Sequence, residues 1–255
     1  MIGIFAFSFA KKSFAWYKEN HQRMTKAAIN LLTEKEKAFL GFAADSLIDK
    51  YCMFPDWYRN AVRDGRKEEA KLYEKYVNLP LLQDQKKWHK NNDNDSEICY
   101  YIISTLMSKA IYQLQAGNKL QAVKYMGPLV HFIEDNASPV HVIDNTLLAQ
   151  LLPKPDDVES FPFHRTAEEP TFTIVIPDYK PALLGSNIDD AAITAYARFR
   201  EIRILSRATS IDVIKGIYEG NREKADQARA RAAIPAVKLV ADLIHTICTQ
   251  ANTSN

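Results

Sequence analysis

Apolar side chains recur at three- and four-residue intervals through most of this chain, a period that commits it to helices packed on helices. In 20–32, "NHQRMTKAAINLL" places Met24, Ala27, Ala28, Leu31 and Leu32 on one face. Thr33 and the acidic "EKEK" then open a helix running through "AFLGFAADSLIDKY". Further helices are predicted near 66–77, 96–116, 119–135, 188–218 and 221–250. The stretch 146–187 breaks the pattern with Pro153, Pro155, Pro162, Pro170, Pro177 and Pro181, and it holds the only β-like run, "TFTIVI" at 171–176. We read it as an ordered loop laid over one end of the bundle, and loops this long in compact domains usually carry function. The expected fold is all-α, a single-domain multi-helix bundle with a Pro-rich ordered loop near its site.

With 255 residues, 47% of them hydrophobic, one large core can be buried. No Gly/Ser linker divides the chain, and no apolar run of about twenty residues suggests a membrane span. The opening "MIGIFAFSFAKKSFA" ends in Ser13-Phe14-Ala15, a small-x-small pattern suited to signal peptidase cleavage after Ala15. Residues 1–15 are therefore expected to be a signal peptide and 16–255 a secreted or periplasmic domain. Lys11 and Lys12 follow the apolar segment instead of preceding it, so an exposed amphipathic or strand-like arm is the other reading. Without those two lysines the 31 basic residues balance 31 acidic ones, which argues against a broad footprint for duplex nucleic acid. A small cleft for one phosphate is compatible with neutrality. Cys52, Cys99 and Cys248 show no metal-binding spacing, and in an exported chain one pair would be open to oxidation.

The six histidines are where chemistry concentrates. "HFIEDNASPVH", 131–141, sets His131 and Asp135 one helical turn apart on one face and adds His141. "FPFHRTAEE" repeats the spacing with His164 and Glu168. His21 lies five residues after Trp16, Asp56 sits among Phe54, Trp57 and Tyr58, and His89 lies in "KKWHKNND". Each also has a plainer reading: Asp56 after Pro55 as a helix cap, His89 in a surface turn, His164 with Glu168 as an exposed pair. His245, in "ADLIHTICTQ", is read as a satisfied core or rim residue.

Taken together, Trp16 with His21, then Asp56, His89, His131-x3-Asp135-x5-His141 and His164-x3-Glu168 resemble, in order and type, a known ligand series. It is that of the bacterial zinc-dependent phospholipases C and the fungal and plant single-strand-specific zinc nucleases, which form one superfamily. The likeness spans 16–168 and is most specific at "HFIEDNASPVH", which is similar to the family's H-x-x-x-D-x-x-x-P-x-H element. It implies three zinc ions and the multi-helix bundle of that superfamily. Asp56, His89, His131 and Asp135 would hold one ion; the main-chain amine and carbonyl of Trp16, with His21 and Asp135, a second; His141, His164 and Glu168 the third. An internal amide nitrogen is delocalised and cannot serve as a neutral ligand, so the Trp16 role requires the leader to be cut. The implied reaction is phosphodiester hydrolysis by metal-activated water, with Asp56 as base or orienting group. No P-loop, dinucleotide glycine pattern or GxSxG elbow is present, and no cofactor beyond zinc is expected.

Within that superfamily the features divide. The Trp16–His21 and His141–His164 intervals look like the nucleases, whereas Glu168 and "GPLVHFIEDNASPVH" look like the phospholipases; the Asp56–His89 interval is longer than either. The neutral chain shows no basic stripe for a strand, although Phe54, Trp57 and Tyr58 offer substrate-binding surfaces that could stack a base. "NTLLAQLLPKP", 145–155, brings Leu147, Leu148, Leu151 and Leu152 near His141, as an apolar rim for acyl chains or as packing under the loop. The favoured reading is a phospholipase C acting on phospholipid at a membrane surface. A nuclease acting on single-stranded nucleic acid is the alternative, and a helical binding protein whose zinc only holds the fold is a third. No stable protein partner is implied.

Overall fold

The computed structural model describes residues 18–77, 96–158, 163–168 and 172–253. Among them the regular structure is entirely helical. In chain order it comprises α1 (Lys18–Leu31), α2 (Glu34–Leu40), α3 (Phe42–Asp49), α4 (Phe54–Arg63), α5 (Lys67–Val77), α6 (Ser96–Gln115) and α7 (Lys119–Asn136). Then follow α8 (Asn145–Leu151), α9 (Phe163–Glu168), α10 (Ile188–Tyr218) and α11 (Arg222–Asn252), with 3-10 turns at Tyr51–Met53 and Pro139–His141.

Local chemistry sets these boundaries. Thr33 and Glu36 close a reciprocal capping box at the start of α2. Gly41, at φ 58°, breaks the expected continuous helix into α2 and α3, a conformation glycine adopts without a Cβ clash. Pro55 occupies the first turn of α4, where a missing N–H costs nothing. Asn187 and Asn221 cap the two long helices through their side-chain oxygens. Those two helices form an antiparallel hairpin with close contact at Gly216, where a Cβ would lie 2.7 Å from the Ala225 nitrogen.

Helix α7 runs through the middle of the bundle and is buried continuously from Met126 to Asn136. Its Phe132 ring stacks on Phe199 of α10, with centroids 4.8 Å apart. Met24, Leu47, Leu106, Leu239 and Ile244 fill the same core from four other helices. Gly127 of α7 admits the Tyr51–Met53 turn, because a Cβ there would lie 2.1 Å from the Tyr51 carbonyl oxygen. By length and composition α11 could cross a membrane, yet 72% of its apolar window is buried inside the bundle. Its apolarity is therefore spent on the core.

The Pro-rich region divides into pieces. Residues 172–176 lie outside regular structure, with Phe172 buried and Ile174 and Ile176 packed on the core while Thr173 and Val175 face outward. The β-like run thus keeps its period of two with no partner strand among the described residues. Beyond it the chain straps onto α11: Ala182 N–H donates to Asp242, Leu184 N–H to Thr246, and Gln250 to the Gly185 carbonyl. In α8, Leu148 is buried whereas Leu147 and Leu151 are 47% and 62% exposed, so the leucine cluster is split between packing and solvent. The three cysteines are buried free thiols, with no disulfide. The expected leader 1–15 lies outside the described residues.

Candidate metal centre

Five segments that are remote in sequence bring their acids and imidazoles to one buried hollow. α1 supplies His21, the first turn of α4 Asp56, and the last turns of α7 His131 and Asp135. The second 3-10 turn supplies His141 and the end of α9 Glu168. All six side chains are buried, His141 being the most exposed at 5%. Ligand atoms of His21, Asp56 and His131 lie within 4.8 Å of one another.

Asp135 sits between the imidazoles. Its Oδ1 is 3.4 Å from His21 Nε2 and its Oδ2 is 3.4 Å from His131 Nε2, with His141 Nε2 at 4.0 Å from Oδ1. Atoms about 2.1 Å from a tetrahedral ion lie about 3.4 Å apart, so these are separations at which two groups share a cation. His131 Nε2 is 3.9 Å from Asp56 Oδ1, and the His21 and His131 rings stack with centroids 4.1 Å apart. Two imidazoles face to face and directed at carboxylates leave their Nε2 atoms on the same side of the hollow.

The surroundings fix that orientation. His21 Nδ1 is 2.7 Å from Glu134 Oε2, while Glu134 Oε1 accepts from the Thr25 hydroxyl. His131 Nδ1 lies 2.7 Å from the Cys52 carbonyl oxygen, on the turn that Gly127 lets in. When Nδ1 of each donates to these acceptors, Nε2 carries a lone pair toward the hollow, as in carboxylate–histidine–metal arrangements. Glu168 Oε1 accepts from Ser138 and lies 2.7 Å from His141 Nε2, and Asn20 donates to the Glu168 backbone carbonyl. Arg59 donates to Asp56 Oδ1 at 2.9 Å.

Burying this much charge is costly unless it is compensated. His21 Nε2 and Asp56 Oδ2 are buried and find no hydrogen-bond partner among the described residues. A lone pair and a carboxylate oxygen stranded together in a hollow of His and Asp fit a divalent cation. In the protein alone, burial disfavours a charged His21, but Asp135 and Glu134 outweigh it and raise the imidazole to about 10. Burial likewise opposes charge on His141, and Asp135 and Glu168 still raise it to about 9. Burial works to raise Asp135, yet His131, His141 and His21 hold it well below the usual carboxylate range. Burial also lifts the Glu134 carboxyl, against the pull of His21 and Thr25.

Of the nine expected ligands, His21, Asp56, His131, Asp135, His141 and Glu168 converge. Trp16 and His89 lie outside the described residues, as does the side chain of His164, whose backbone belongs to α9. His245 is elsewhere: its Nδ1 meets Glu36 at 2.5 Å on the rim of the bundle, the satisfied role its sequence context suggested. The aromatic residues around Asp56 do not form the open platform that was expected. Phe54 is 3% exposed and packs its ring against Tyr51, Tyr73 and Tyr76, and Tyr58 is 8% exposed. They serve the core because α4 turns its apolar face inward, leaving Trp57 as the part-buried member. Glu134, Thr25, Asn20, Ser138 and Arg59 are the participants that spacing did not disclose. No family model, curated protein or solved structure matches the chain.

Proposed function

We propose that this chain is a secreted or periplasmic metal-dependent phosphodiesterase of the zinc phospholipase C and nuclease type, with phospholipid as its substrate. The observation that carries the reading is Asp135, offering one oxygen toward His21 and the other toward His131 at 3.4 Å each inside a buried hollow of carboxylates and imidazoles. His21, Asp56, His131, Asp135, His141 and Glu168 are the residues that would hold the zinc ions. A complement of three ions rests on the resemblance and on Trp16, His89 and His164. Bound zinc supplies Lewis acidity, making water acidic near neutral pH and drawing charge from a phosphate oxygen.

The chain's own groups position and balance that chemistry. Glu134 and the Cys52 carbonyl hold the two imidazoles with Nε2 inward, so little reorganisation accompanies binding. Arg59 donates to Asp56 Oδ1, the oxygen 3.9 Å from His131 Nε2, and leaves the buried Oδ2 without a hydrogen bond, so that Asp56 is suited to orient an attacking water. The exposed Leu147 and Leu151 on α8, which begins shortly after His141, favour a lipid substrate by offering an apolar edge to acyl chains.

A specific observation supports a second reading, in which metal serves only to hold the fold: every one of the six converging side chains is at most 5% exposed. Closed sites of this kind are structural in many proteins. Turnover separates the two. The purified exported protein is expected to carry zinc and to hydrolyse a chromogenic phosphodiester, losing activity to chelator and regaining it with zinc. Zinc retained without turnover would establish the structural role instead. Phosphocholine release from lecithin micelles should exceed digestion of denatured DNA, and the reverse would make the chain a nuclease. Intact mass should place Trp16 first in the mature chain.

A further inference from the structure

A second polar concavity is lined by none of the six residues of the hollow. It is a groove of about 400 Å³ into which Lys50, Lys71, Lys75 and Lys124 converge, walled by Tyr51 and Tyr76 and edged by Leu72. We infer that this groove is a docking site for the phosphate groups of anionic phospholipids at a bilayer surface. Lys71 pairs with the 86%-exposed Glu68, whereas among the described residues no carboxylate pairs with Lys50, Lys75 or Lys124. Their ammonium groups rest on ring faces: Lys124 over both Tyr51 and Tyr76, Lys50 over Tyr51 and Lys75 over Tyr76, at 4.8–5.8 Å. Ring contact of this kind holds cations in place without neutralising them, so the groove keeps a concentrated positive charge on a chain that carries only +2 overall.

Charge complementarity therefore selects an anion, and two further features select a bilayer. Leu72 is 65% exposed on α5 between Lys71 and Lys75 and lines the same groove, so an apolar side chain stands beside the cations, available to acyl chains. Tyr51, Phe54 and Tyr76 of the groove are at most 5% exposed, with lysines over the Tyr51 and Tyr76 faces, and the part-buried Tyr73 packs on Phe54 and Trp57, so the groove offers no row of open rings on which successive bases could stack. The binding stands apart from catalysis, because it uses none of the six residues of the metal hollow.

Sedimentation of the full metal-loaded chain after brief contact with vesicles in the cold tests it, with released phosphate assayed in the same tubes so that binding is read before head groups are lost. Phosphatidylcholine vesicles containing phosphatidylserine should bind the protein well and pure phosphatidylcholine vesicles poorly, with the difference vanishing at high salt. Lys50→Gln and Lys124→Gln should each weaken partition about five-fold, as loss of one surface lysine predicts. Leu72→Gln should weaken it further, and all three variants should keep the helical circular dichroism and zinc content of the parent. Unchanged partition in these variants would overturn the assignment. So would equal binding to neutral vesicles, binding of inorganic phosphate without binding of vesicles, or tighter binding of a single-stranded oligonucleotide at the same residues.

Discussion

Two clusters of buried charge in this molecule solve the same problem in opposite ways. Asp242 of α11 is fully buried, and the protein alone satisfies it: Tyr179 donates at 2.5 Å and Arg198 ion-pairs with the same oxygen, while the Ala182 N–H donates to the other at 2.7 Å. The cluster around Asp135 gathers carboxylates and imidazoles in equal burial, but His21 Nε2, 3.4 Å from Asp135 Oδ1, and Asp56 Oδ2 make no hydrogen bond among the described residues. A buried anion needs a cation within reach. At Asp242 the cation is a guanidinium built into the chain, and the result is a strap closed onto a helix. In the hollow Arg59 pairs with Asp56 alone, and on the proposed reading a bound metal would supply the rest.

The largest test of this contrast is Asp135→Asn. It should release metal and lower phosphodiester turnover by on the order of 10³-fold, read by metal analysis and kinetics on the same sample. Next in size, Asp242→Ala leaves Arg198 and the 172–187 strap without their acceptor and should cost about 3 kcal/mol in urea unfolding. Metal content per folded molecule should not change; if it fell, the two clusters would not be independent. Glu134→Gln weakens only the support of His21 and should reduce zinc affinity by about 10- to 100-fold in a chelator competition, with stability of the loaded protein little altered.

The smallest effect is a pH dependence peculiar to the metal-free protein. His21 and His141 are raised from 6.5 to about 10 and about 9, so their protonated forms favour the folded state. That contribution is complete below about 6.5 and is lost as pH climbs through 9 to 10. Urea midpoints of the metal-free chain should therefore fall between pH 7 and 10. In the loaded protein the imidazoles are already deprotonated, so its midpoints should not follow the same curve.

How far these regions could be read in advance differs as well. His131 and Asp135 were legible as a pair because helical spacing alone places them on one face. Glu134 was not, since a neighbour of Asp135 points about 100° around the helix and gains meaning only when α1 lies there. The four-residue spacing of His21 and Thr25, both of which meet Glu134, is the signal that was available. Phe54 and Tyr58 looked like a substrate platform because sequence places them beside Asp56 without telling which face of α4 is inward. The run 171–176 promised strand character, and its residues 172–176 do alternate between packing and solvent, but they form no regular structure; the hydrogen bonds to α11 come later, from Ala182 and Leu184.

By itself the sequence determined most of the long helices, the helix start at Thr33 and the type of ligand atoms available, because each depends on interactions within a few residues; the break at Gly41 was not read from it. Only the tertiary structure decided which of those atoms meet. The approach of Cys52 to His131 through Gly127, of Glu134 to His21, and of Glu168 to His141 joins residues from 27 to 148 positions apart in contacts including Asn20 with Glu168. Such meetings are fixed by the packing of whole helices, and no local pattern records them.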